Sequence, residues 1–118
     1  MVAAAKREYG LFIDGEICEP ASAEIREIAE PAPGEPLARA AMAGEADIDR
    51  ALAAARAALD GAWGKTPPPE RSRLLHALAD AIAANRGELA ELECRNVGKA
   101  ISSVKAEVHG AVENFHYY

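Results

Sequence analysis

The hydrophobic period of this chain changes once, at Glu45, and that switch restricts its fold more than any other feature. Before it, apolar residues come in short extended runs. Leu11-Phe-Ile and Ile17-Cys18 flank Asp14-Gly15, a two-residue hairpin signal, because the tight turn between twisted strands needs a positive φ that Gly tolerates. Ile25 and Ile28 lie in a further extended run. It ends at Pro31-Ala-Pro-Gly34, where two prolines lack the amide a sheet ladder requires. Leu37 to Met42 is weakly apolar and reads as extended. Residues 1–10 carry no pattern of this kind and are read as a flexible start.

After Glu45 the spacing is helical. Ile48, Leu52, Ala55 and Leu59 mark one face of a first helix, and Glu45, Asp47 and Asp49 crowd the turns where the positive dipole end favours carboxylates. Gly61 and Gly64 end it around Trp63. Thr66-Pro-Pro-Pro69 suits the start of a second helix, with Leu74, Leu78, Ile82, Leu89 and Leu92 on one side. Asn85-Arg86-Gly87 is a place for a kink, since Gly inside a helix costs about 1 kcal/mol relative to Ala. Gly98 closes that helix. Ile101, Val104, Val108, Ala111, Val112 and Phe115 give a third. The expectation is a β-rich stretch over 11–43 followed by three helices over 45–118.

At 118 residues the chain is long enough for one ordinary domain and too short for two. Half its residues are apolar, but alanine and leucine dominate, so the core should be thin. Phe115, Tyr117 and Tyr118 are three of the six Phe, Trp and Tyr residues, and no C-cap follows them. Such an aromatic end is expected to pack against polypeptide outside this sequence, which marks the chain as an excerpt of something longer. The formal charge of −6 and pI near 5.0 exclude an electrostatic nucleic-acid binder, which needs a basic face. No apolar run has the length of a membrane span, and Met1 to Gly10 lacks the apolar region of a signal peptide. Cys18 and Cys94 have no metal or redox spacing. A cytoplasmic protein with reduced thiols is expected.

The chemical motifs fail one by one. Gly64-Lys65-Thr66 lacks the glycine five residues earlier that a phosphate-cradling loop needs, and three prolines remove amide donors after it. Gly98-Lys99 fails likewise, with Glu93 and Ala100 at the diagnostic positions. No G-x-G-x-x-G is present. His76, His109 and His116 form no i, i+4 pair, although His109 and His116 share a helix face at seven-residue spacing. Cys94 sits near a helix C-terminus, where the dipole raises a thiol pKa, and Cys18 is a small strand residue. Glu30, Glu35, Glu88, Glu91 and Glu93 read as solvated loop or helix carboxylates. No catalytic constellation is legible.

Several segments, taken in order, resemble the amino-terminal region of the NAD(P)-dependent aldehyde dehydrogenase family. They are Leu11-Phe-Ile-Asp-Gly-Glu16, Glu30-Pro-Ala-Pro-Gly34, Ala43 through Ala58, Trp63-Gly-Lys65 with Pro69-Glu-Arg-Ser-Arg-Leu-Leu75, Leu89 through Lys99, and Glu107 through Tyr118. The likeness runs from about Leu11 to Tyr118. Glu30 stands where the family usually has Asn, Ala100 where Pro commonly follows Gly-Lys, and Cys94-Arg-Asn-Val97 replaces a Thr-containing stretch.

The resemblance implies an α/β enzyme in which 11–118 is the incomplete amino-terminal part of a dinucleotide-binding domain, in a homo-oligomer (dimer or tetramer) when full length. It implies oxidation of an aldehyde to a carboxylic acid with NAD or NADP through a Cys thiohemiacetal and thioester. All catalytic and cofactor-binding residues would lie beyond Tyr118, so none is assigned here, and Cys94 is not the nucleophile. The resemblance does bring one family site into this stretch: a monovalent cation held by the carbonyl of Ile28, or its neighbour Ala29, and by the carboxylate of Glu107. The other reading of the same residues is a stand-alone helical interaction module derived from that family. It would use the same exposed stripes and aromatic end.

Overall fold

A computed structural model describes residues 7–118. The chain divides into two compact units. One holds Gly34–Lys65 and the chain up to Ala29, the other Glu30–Pro33 and Thr66–Tyr118.

In the first unit, β2 (Leu11–Ile13) and β3 (Glu16–Cys18) pair antiparallel, with Phe12 opposite Ile17. Asp14 and Gly15 carry φ of 55° and 81°, so both turn residues take the left-handed backbone that matches strand twist. A second sheet places β5 (Pro36–Ala41) between β1 (Arg7–Tyr9), parallel, and β4 (Ile25–Ala29), antiparallel. The expected flexible start therefore includes a strand. Three residues are too few to show a period, and this strand is templated by the main chain of β5, not by an apolar pattern. Residues 1–6 of that stretch lie outside the described ones.

The helix α1 (Glu45–Asp60) follows the sequence, but its faces are exchanged. Ile48, Leu52 and Leu59 are 53%, 52% and 68% exposed. The side through Asp47, Arg50, Ala54 and Ala57 faces the hairpin instead, with Arg50 and Ala57 still exposed. Asp47 is buried, and the other three line a hollow shared with Cys18 of the hairpin.

A short helix α2 (Ala62–Lys65) follows. A Cβ on Gly64 would run into the Leu59 carbonyl, which no side-chain adjustment can relieve. Gly64→Ala is therefore expected to lower the thermal midpoint by roughly 5 °C or more. Gly87→Ala is the control: nothing lies within 4 Å of the added methyl, and helix propensity favours it. Equal midpoints for the two variants in thermal melts would show that the turn has room.

The second unit is three helices, α3 (Pro68–Ala84), α4 (Arg86–Val97) and α5 (Ile101–Tyr117), with α5 packed on both others. The single second helix expected from the sequence is thus two. Asn85 separates them, its side-chain amide donating to the Ala81 carbonyl at 2.8 Å. Pro67 caps α3, with proline in its first turn, and Gly98 ends α4 at φ 74°. Ala79, Ala90, Val104 and Val112 are the buried apolar residues, all small or medium. Tyr117 and Tyr118 stack edge-on at 5.0 Å and are 81% and 74% exposed.

Candidate functional site

Among the described residues, the charged side chain with no exposure is Asp47. It occupies the third position of α1 and accepts from the Gly44 amide at 3.0 Å, closing the helix entrance on itself. The Ala21 amide donates to both carboxylate oxygens, at 3.1 and 3.2 Å, and Arg50 adds a bond of 2.7 Å. The Gly44 amide is the chief reason that the Asp47 carboxyl stays below its ordinary range. Burial opposes this, while Ala21 and Arg50 reinforce it. Arg50 is held above its usual value first by its bond to Asp47. A carboxylate so fully engaged is ionised and committed. It latches the 21–22 loop to α1 and has no free lone pair for acid–base work.

Arg50 also donates to the Cys18 Sγ at 3.7 Å. Cys94, near the carboxyl end of α4, donates its thiol to the Lys99 carbonyl at 3.0 Å. A backbone carbonyl cannot serve as the base that activates a thiol.

Lys99 reaches both oxygens of Glu107, at 2.9 and 3.0 Å, and this bond raises the ammonium above its ordinary value. Ile28 belongs to β4 of the first unit and Glu107 to α5 of the second. A cation approaching Glu107 would have to displace the Lys99 ammonium.

His76 and His116, not His109, come together. Their rings meet edge-on at 5.5 Å, and His116 faces Asp80 at 3.3 Å. Among the described residues, no group of three His, Cys, Asp or Glu side chains is arranged to hold a metal. Gly64-Lys65 lies in a helical turn, and the Lys99 that precedes α5 is committed to the Glu107 carboxylate, so neither pair is arranged as a phosphate cradle. Sequence reading placed Asp47 only as a dipole partner. Its spacing of three from Gly44 carried a capping signal, but the contact with Ala21, 26 residues away, left none.

The model of the family described as "Aldehyde dehydrogenase family" matches residues 17–118. The chain belongs to that family. It is 44% identical over 93 residues to the 2-hydroxymuconic semialdehyde dehydrogenase of Pseudomonas sp. (strain CF600), covering 79% of this chain and 19% of that protein. It is 37% identical over 113 residues to an aldehyde dehydrogenase of Aspergillus niger, covering 96% of this chain and 23% of that one. The crystal structure of the NAD-dependent aldehyde dehydrogenase from Sinorhizobium meliloti superposes with a TM-score of 0.91 at 34% identity, over 95% of this chain and 23% of the other. The fold is thus the α/β arrangement of aldehyde dehydrogenases, and the chain spans about a fifth of the length of its relatives.

Glu30 pairs with Arg95 of the Cys94–Val97 stretch at 2.9 Å. This ion pair fastens 30–33 to α4 within the second unit, beside the contact that Pro31 makes with the position of Gly98.

Proposed function

We propose that residues 11–118 form the amino-terminal part of the dinucleotide-binding domain of an NAD(P)-dependent aldehyde oxidoreductase. The observation that carries this reading is the family match across 17–118. In the proposed reaction a Cys thiolate adds to the aldehyde carbonyl, and the thiohemiacetal loses hydride to become a thioester. Water then releases the carboxylic acid. NAD or NADP, when bound, supplies the hydride acceptor. No reacting group is assigned to a residue of this chain. Its own contribution is architectural: Asp47 fixes α1, and the open stripe of Ile48, Leu52 and Leu59 offers an apolar face for further polypeptide. The same proposal includes a cytoplasmic homo-oligomer and a monovalent cation at Ile28 and Glu107, with Lys99 as its internal competitor.

The test is aldehyde-dependent NAD(P)H formation by the intact protein, across aliphatic, aromatic and semialdehyde substrates. Turnover with at least one class is expected, with loss on alkylation of its reactive thiol. If a folded intact protein reduces neither dinucleotide with any class, the open α1 face favours the interaction-module reading.

A further inference from the structure

A cleft of about 640 Å³ opens where the carboxyl end of α3, the first turn of α4 and the middle of α5 meet. Its wall includes Ala83, Val108 and Val112, and its rim carries Arg86, Lys105 and His109. Glu113 is the one carboxylate on the lining. Val112 is buried and Val108 half-buried, so the wall is apolar surface that water covers poorly.

Elsewhere Arg39, Arg50, Arg73, Arg95 and Lys99 each hold a carboxylate. Among the described residues, Arg86, Lys105 and His109 have no ion-pair partner. Two unpaired cations, Arg86 and Lys105, beside one apolar hollow, in a chain of formal charge −6, form a local field opposite to that of the whole. Volume and lining both fall within what small-molecule sites use: an apolar wall with a few convergent polar groups.

We propose that this cleft binds an amphipathic organic anion, a carboxylate or phosphate monoester on a short aliphatic or aromatic body. The head sits against Arg86 and Lys105, and the body lies on Val108 and Val112. A guanidinium fork matches the two oxygens of such a head, and the ammonium adds a point charge. Glu113 sets the selectivity, because it repels an anion that lacks the apolar body to hold it in place. Binding makes and breaks no covalent bond.

The probes are octanoate, octyl phosphate, octanol and acetate, added to intact protein carrying labelled histidine, with the His109 ring resonance followed by NMR. Octanoate or octyl phosphate shifts His109 saturably, and which of the two binds more tightly identifies the head. Octanol and acetate each supply half of the ligand and bind at least about ten-fold more weakly. The double variant Arg86→Gln, Lys105→Gln weakens the anion at least about ten-fold while leaving octanol unchanged, and Lys105→Arg retains binding. The proposal is overturned if neither anion moves His109, if octanol matches octanoate, or if the double variant binds as well as the parent. Following His109 separates this cleft from any carboxylate site elsewhere in the intact protein.

Discussion

Mixed with NAD+ or NADP+ and any aldehyde, the 118-residue chain forms no NAD(P)H. The reaction needs a thiolate within reach of the carbonyl, donors for the developing oxyanion and a base for water. Neither cysteine meets the first need. The Cys94 thiol donates to the Lys99 carbonyl near the carboxyl end of a helix, so its hydrogen is engaged by a backbone acceptor and not by a general base. Cys18 has the Arg50 guanidinium 3.7 Å away, but Arg50 is already bound to Asp47 at the shorter distance of 2.7 Å. Removing a covalent nucleophile costs on the order of a million-fold in turnover where such effects have been measured, so the chain should fall below detection beside the intact protein. The check is a continuous NAD(P)H assay on both forms, with Cys18→Ser and Cys94→Ser variants of the intact protein as companions. Both variants should retain most of the parent rate. Aldehyde-dependent reduction by the chain alone, abolished by either substitution, would place the nucleophile here after all.

The sequence announced the elements that local chemistry determines. Asp14-Gly15 could hardly be other than a hairpin turn, and its positive φ values are there. Pro67 and Gly98 bound helices where proline and glycine are best tolerated. What it concealed was set by tertiary packing. The Ile48, Leu52 and Leu59 stripe has the spacing of a buried face, yet the alanine and Asp47 side faces the hairpin. Periodicity reports that a face is apolar, not which neighbour covers it. The β1 strand was invisible because its pairing with β5 belongs to the backbone. Glu30 and Arg95 read as separate departures from the family pattern. Their pairing across 65 residues was beyond any local rule.

Asp47→Ala should lower the thermal midpoint by roughly 10 °C, the largest single effect expected from a substitution in α1. The change leaves the Gly44 and Ala21 amides without their acceptor and releases the helix entrance from the loop it anchors. A part-buried backbone donor stripped of its partner loses about 1–3 kcal/mol. Asp47→Asn keeps one acceptor oxygen but turns an amide toward Arg50, so its midpoint should fall between the two.

Acid provides an independent check of sign. The folded state holds the Asp47 carboxyl below its ordinary range, so its contribution is fully present above the unfolded value, about 3.9 for an aspartate. The contribution is lost as pH falls through the lower, folded-state value. The gap in midpoint between parent and Asp47→Asn should therefore be widest near neutrality, begin to shrink below about pH 4 as the unfolded chain takes up its proton, and close only once the folded carboxyl, held lower, is neutral too.

Arg50→Gln separates the causes. Its side chain is half exposed, and such a surface ion pair contributes little once water screens it. A fall of only a few degrees is expected from it. If Arg50→Gln matches Asp47→Ala in thermal melts, the ion pair holds the helix entrance and the backbone latch does not. A gap between parent and Asp47→Asn that stays constant down to low pH would likewise show that the buried carboxylate's charge contributes nothing to the fold.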